Sequence, residues 1–277
     1  FNVINYHCSI LHKIMDLTLI RHESVYEKSD TTPFGQGIQD ALGEVLNIAE
    51  HLGFRTYLDP EGYYAYAEIG EGDAMFGVLG HLDVVPAGDK DLWNTDPFQL
   101  ATDGQYLYGR GVADDKGPVL TSMYALKIAL DEGLKLNQRV RFIFGGDEES
   151  LWRCMDAYVA KEEIPNKGFT PDSSFPLTYA EKGLIQFNLY SKEAAVSPLL
   201  GGDAYNAVPD RSTIAYSESA IKALDELKIE YEVRDNTILV YGKAMHAMAA
   251  DQGINSNVLA AKALANTGET HVFVKYL

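Results

Sequence analysis

Cysteine is almost absent: Cys8 and Cys154 are the only two in 277 residues, far apart and outside any CxxC spacing. That argues against a disulfide framework and against a thiolate metal site, and it fits a reducing compartment such as the cytoplasm. Basic residues are also scarce, 23 Lys and Arg against 40 Asp and Glu, for a formal net charge of −17. An exterior of that sign repels nucleic acid and anionic membrane surfaces. It can draw a divalent cation or an ammonium group into an acidic cleft, although bulk charge often does no more than keep a protein dissolved. No stretch approaches the roughly 20 uninterrupted apolar residues of a membrane-spanning helix, and the opening "FNVINYHCSILHKIMDL" lacks a long apolar run followed by a small-residue cleavage site. Starting at Phe1 rather than Met, the chain reads as a piece of a longer one.

What is present is a hydrophobic content of 46%, enough to bury a substantial core in one large domain or two smaller ones. From Ile38, the residues Ala41, Leu42, Val45, Leu46, Ala49 and Leu52 recur at intervals of three and four, with Gly53 as a stop, and predict an amphipathic helix. "FRTYL", "YYAYAEI" and "AMFGVLG", separated by the turn residues "DPEG" and "GEGD", predict three strands, the last ending at His81. "GPVLTSMYALKIALDEG" predicts a helix and "RVRFIFGG" a strand, and such alternation builds an α/β sheet with helices on its faces. After Gly183 the character changes. "LIQFNLYSKEA" is strand-like, "LGGDAYNAVPDR" reads as a loop, a helix follows near Ser219 to Leu227, and "TILVYG" is a further strand. The expected organisation is residues 1–183 as one domain and 184–277 as a second.

Four segments end or interrupt apolar runs with acidic or imidazole groups: "GHLD", "GRGVADDKG", "GGDEES" and "TPDSSFP". Singly, each is ordinary. A histidine at a strand end is usually a hydrogen-bonded surface residue, and Asp114 with Asp115, or Asp147 with Glu148 and Glu149, usually form solvated loops. All four are expected at strand ends, however, where α/β sheets gather their ligands. Carboxylates brought together there repel one another unless a cation neutralises them. Oxygen donors with one or two imidazoles suit zinc or a similarly borderline ion such as manganese or cobalt. On extended chain His81 and Asp83 face the same way, so Asp83 can accept the proton on the second imidazole nitrogen and fix the ring.

These segments, with Trp93, "DPF", "LYGRGVADDKGP", "GGDEESLWRCM", "PDSSFPLTYAEKG", "GGDAYNAVPD" and "GKAMHAMAADQGINSN", resemble as a set the metal-dependent peptidases that include aminoacylases, carboxypeptidases and Xaa-His dipeptidases, and most closely the PepV/Sapep-type bacterial dipeptidases. The resemblance implies a zinc-exopeptidase-like α/β catalytic domain, a mixed sheet flanked by helices, and the beginning of an α+β lid domain. It implies two divalent ions, zinc or manganese. Asp114 would bridge them, His81 and Asp172 would complete one ligand set, and Glu149 would serve the other. Glu148 would be the general base toward a metal-bridged water, and the bond after Asp114 would be cis. His246 would donate to the substrate's carbonyl oxygen, with Asn206 as a second lid residue near the substrate; without the resemblance both read as ordinary surface and turn residues.

The implied activity is hydrolysis of dipeptides. A truncated inactive metal-binding module and an amidohydrolase acting on N-acyl amino acids stand as alternatives. The family's last metal-ligating histidine and a lid arginine would lie beyond Leu277, so the 277-residue chain by itself is expected to show little activity and to aggregate. Gly146 stands where the family often has threonine, and no proline follows His246 closely. His7, His12, His22, His51 and His271 match no motif and read as structural or exposed. Lys116 and Lys182 read as packing or salt-bridge residues.

Overall fold

The computed structural model describes residues 18–88, 90–173, 176–181, 183, 185, 188–192, 198–202 and 206–277. They form two compact units, Phe1–Glu181 and Lys182–Leu277.

In the first unit, helix α1, Gln36–His51, forms where the apolar spacing places it and buries Ile38, Ala41, Leu42, Val45, Leu46 and Ala49 along one face. Gly53, at φ +89°, ends it in a conformation that side chains with a Cβ avoid. Strands β1 (Arg55–Leu58), β2 (Tyr64–Ile69) and β3 (Met75–His81) follow, and then a small hairpin of β4 (Ala101–Thr102) and β5 (Leu107–Tyr108). Helix α2 (Lys116–Asp131), β6 (Arg139–Gly145), helix α3 (Arg153–Lys161) and β7 (Lys167–Phe169) complete the unit.

The sheet is mixed, in the order β1-β2-β6-β3-β7. The first three strands pair antiparallel, while β3 runs parallel to both β6 and β7. Parallel pairing follows from the crossovers through α2 and α3, because a chain that returns through a helix re-enters the sheet in the same direction. Side chains alternate across the sheet. Ala65, Ala67, Phe142 and Phe144 join the core beneath α1 and α2, whereas Tyr64 and Ile143 pack with Tyr158 of α3 on the opposite face. Central β3 is covered on both sides, which accounts for its nearly continuous apolar run.

This register positions the chemistry. His81 pairs directly with Gly145, so the acidic run from Asp147 begins two residues past its partner. Strand β7 pairs through Phe169 with Val78, three residues before His81, and Asp172 lies three residues past Phe169. Asp114 arrives differently. It lies not at a strand end, as the sequence predicts, but in the turn that leads into α2. That turn packs tightly onto β3, since a Cβ on Gly80 would come within 2.2 Å of Val119 Cγ2 and 2.6 Å of Asp115 Oδ2.

In the second unit, strands β8 (Leu199–Gly201), β9 (Ala207–Val208) and β10 (Arg211–Ala215) precede helix α4 (Glu218–Leu227), which is capped by Ser217. Strands β11 (Tyr231–Arg234), β12 (Thr237–Tyr241) and β13 (Met245–His246) come next, then helix α5 (Ser256–Asn266) with Asn255 as its cap, and helix α6 (Val272–Tyr276). An antiparallel sheet in the order β11-β12-β10-β8 buries Ile214, Ile238 and Val240 against Ala220, Ala223 and Leu224 of α4 and Ala260, Ala263 and Leu264 of α5. Residues 184, 186, 187, 193 and 194 of the expected strand lie outside the described residues, and the edge beside β10 is formed by Leu199–Gly201. One expectation is corrected here. The stretch 200–211 is not simply a loop, since β8 ends and β9 lies within it. Among the described residues no helix is long and apolar enough to cross a membrane.

Candidate metal centre

His81 ends β3 and is buried, with its imidazole edge turned toward acidic groups from three other segments. Its Nε2 lies 3.0 Å from Asp114 Oδ1, 3.6 Å from Asp172 Oδ2 and 3.8 Å from Glu148 Oε2. One ligand atom each from His81, Asp114 and Asp172 falls within 4.8 Å of the others. The Asp114 side chain is 60% exposed, so the cluster opens outward. The Asp114–Asp115 peptide bond is cis.

The other ring nitrogen is held from behind. His81 Nδ1 is 2.9 Å from the backbone oxygen of Asp83 and 3.4 Å from its Oδ1. The sequence expectation of a side-chain bond is therefore corrected to a bond that chiefly uses the Asp83 carbonyl. With Nδ1–H donating to that oxygen, Nε2 is the nitrogen that faces the carboxylates: it donates to them while the ring is protonated and would offer its lone pair to a cation once it is not. The Asp83 carboxylate accepts instead from the backbone N–H groups of Glu148 and Glu149, at 3.1 and 2.9 Å. One buried aspartate thus joins the end of β3 to the turn after β6.

The electrostatics follow from crowding. Burial by itself disfavours a charged His81 ring, but its hydrogen bonds with Asp114, Asp172 and Asp83 outweigh that and raise its pKa well above the usual imidazole value. Burial pushes Glu148 up to about 7, with Asp172, Asp83 and Asp114 adding to the rise and His81 opposing it. Glu149 also rises to about 7, through burial and then the neighbouring Asp114. Two neighbours that the sequence reading did not place in the cluster belong to it. Asp115, fully buried, accepts from His81 N–H at 3.3 Å through Oδ2, and burial raises it to about 8. Its Oδ1 has no hydrogen-bond partner among the described residues. Lys116, also fully buried, donates from Nζ to the carbonyls of Leu19 and His22 at 3.0 and 2.8 Å. These two hydrogen bonds go to carbonyls rather than to a carboxylate. The adjacency "DDK" is the only signal the sequence offered for either residue.

Asn206 and His246, 40 positions apart, meet in the second unit. Strand β9 pairs antiparallel with β13, with His246 opposite Ala207, and Ala247 N–H donates to Asn206 O at 2.7 Å. Of the remaining histidines, His51 is exposed, His271 caps α6, and His22 lends its carbonyl to Lys116. His7, His12, Cys8 and Lys182 lie outside the described residues, as do Asp203–Tyr205 of "GGDAYNAVPD" and Ser174–Phe175 of "PDSSFP".

An imidazole nitrogen with carboxylate oxygens around it, and no thiolate, is a donor set for a borderline or hard divalent ion. The excess of buried acid, part of it pushed toward protonation, is what such an ion would relieve. The family profile described as "Peptidase family M20/M25/M40" matches residues 77–259. The chain belongs to this family. Every site residue named above, from His81 to His246, falls inside the matched region of the M20 chain. Among its relatives are "Putative dipeptidase YtjP" of Bacillus subtilis (strain 168), 35% identical over 95% of this chain and 62% of the relative. Another is "Putative dipeptidase SSP1012" of Staphylococcus saprophyticus, 35% identical over 87% of this chain and 56% of the relative. Human carnosine dipeptidase 1 superposes with a TM-score of 0.52 at 26% identity, over 62% of this chain and 40% of that one. The chain therefore spans less than two thirds of the length of the curated relatives it matches.

Proposed function

We propose that the His81 cluster is the metal centre of a cytoplasmic dipeptidase that carries two divalent ions, zinc or manganese. The observation that carries this reading is one buried imidazole facing carboxylates from three separate segments within 3.0 to 3.8 Å. In this reading His81 and Asp172 would hold one ion and Glu149 the other, with Asp114 serving both. Bound there, such ions supply Lewis acidity and lower the pKa of water at the site. Glu148 removes the proton from the attacking water, a task suited to a carboxylate held near neutral pKa. His246, with Asn206 beside it, is the donor proposed for the carbonyl oxygen, where negative charge develops. Asp83 keeps the His81 ring in the tautomer that offers Nε2 outward.

That last role carries its own expectation. Asp83→Ala keeps the carbonyl that His81 Nδ1–H meets but removes the carboxylate 3.4 Å from Nδ1 that also holds the Glu148 and Glu149 amides, and losing such an outer support should lower zinc or manganese affinity by about 10–100-fold. A competition titration checks it, and unchanged affinity removes Asp83 from this role.

The dipeptide reading is tested with a substrate panel on the metal-loaded chain, extended past Leu277 to wherever its gene ends. Exposed acid around the centre favours a substrate ammonium. Dipeptides with a free amino terminus are therefore expected to be hydrolysed at least about tenfold better than N-acyl amino acids, the discrimination that one charge-assisted hydrogen bond provides. The reverse preference would make the protein an amidohydrolase. No turnover of either class would overturn the enzymatic reading.

A further inference from the structure

Of the three acids in the turn after β6, the reading above uses Glu148 and Glu149 and leaves Asp147 without a task. Its side chain is fully shielded from solvent, which an acid of a merely solvated loop would not be. The carboxylate accepts three hydrogen bonds, all from Arg153: backbone N–H at 3.0 Å, Nε–H at 2.7 Å and Nη2–H at 2.7 Å. The guanidinium is held in turn by two rings from the segment before α1, lying 5.1 Å from the centroid of Tyr26 and 5.0 Å from that of Phe34. Trp152 N–H closes the same turn onto Asp147 O at 2.9 Å. Between these closures sit Glu148 and Glu149, whose amides point the other way, onto the Asp83 carboxylate.

We infer that the Asp147–Arg153 pair is the positioning clamp of the two glutamates: it fixes one side of their turn while Asp83 fixes the other. This rests on the proposed roles of Glu148 and Glu149. A turn held only by Asp83 can pivot about that single point, and each glutamate would then sample a range of directions. With a second anchor two bonds wide, the turn has one orientation. The planar fork of arginine matters here, since it meets both carboxylate oxygens at once while its face packs on aromatic rings; a lysine would retain the charge and lose the fork.

The test is Arg153→Lys, with Arg153→Gln alongside. The first readout needs neither metal nor turnover: hydrogen exchange of residues 146–150 in the metal-free extended chain. Arg153→Lys is expected to speed exchange there by about tenfold, equivalent to one lost charge-assisted hydrogen bond, with the strands of the sheet protected as before. In the extended, metal-loaded chain kcat should fall about tenfold while KM stays within about twofold, as for other outer partners of a site. Exchange at the native rate in this segment, with Arg153→Lys only lowering Tm, would overturn the clamp and leave the pair a structural salt bridge. If the panel of dipeptides fails altogether, the exchange experiment still decides the clamp, so failure of the dipeptidase reading and failure of this inference are told apart. Should Arg153→Gln not fold, because it leaves a buried carboxylate unpaired, the charge-retaining lysine variant carries the test alone.

Discussion

Glu148→Gln is expected to abolish most dipeptide turnover, by about 10²–10⁴-fold in kcat, while leaving metal binding close to native. Glutamine has the shape of glutamate and no basic oxygen, so the substitution removes proton abstraction and little else. The native carboxyl is suited to that abstraction. Burial raises it to about 7, opposed by His81 and reinforced by Asp172, Asp83 and Asp114. Its backbone contribution is unaffected, since the bond from Glu148 to Asp83 is made by main-chain N–H. Steady-state kinetics on the metal-loaded, extended chain, with a zinc titration beside it, checks both halves. Turnover within tenfold of native would assign the base to another residue.

The second large effect belongs to His81→Ala, for which zinc or manganese affinity should drop by more than the ~100-fold upper range for an outer partner. The histidine is the sole imidazole in the cluster found among the described residues, and the carboxylates of Asp114, Asp172 and Glu148 all approach its Nε2. Removing it takes away a neutral donor and leaves only anions, whose mutual repulsion then favours protonation over binding. Competition titration of the extended chain against a chromogenic chelator measures the loss, and excess chelator should equally extinguish its turnover. Native affinity in the alanine variant, or full turnover in chelator, would disconnect this cluster from the chemistry.

Much of the first unit was legible in the sequence for a physical reason: periodicity reports burial. The spacing from Ile38 to Leu52 gave α1, and the apolar runs of β3 and β6 gave two strands whose ends at His81 and Gly145 lie on one rim. Other features depend on packing that no local pattern records. Asp114 reaches the cluster from the turn before α2 and not from a strand, a path set by how that helix seats on Gly80. The burial of Asp115 was invisible, because adjacent charges in a sequence ordinarily signal solvent, whereas Lys116 was read as a packing or salt-bridge residue and is buried. The role of Asp83 was half legible: spacing tied it to His81, but the amides it holds come from 65 and 66 residues away. In the second unit the strand-like stretch after Gly183 falls in part outside the described residues. Helix α5 went unread although Asn255 supplies its cap. The meeting of Asn206 with His246 rests on the ladder of β9 and β13, two residues on each side, too short to leave a pattern.

The ammonium of Lys116 is fastened to carbonyls 97 and 94 positions upstream. Residues 19–22 are thereby not a dispensable leader but the far end of a tether whose near end adjoins Asp114 and Asp115. A protease that nicked the backbone there, or an engineer who trimmed it, would strand a cation inside the protein next to its acidic cluster. The damage would register at the cluster rather than at the cut.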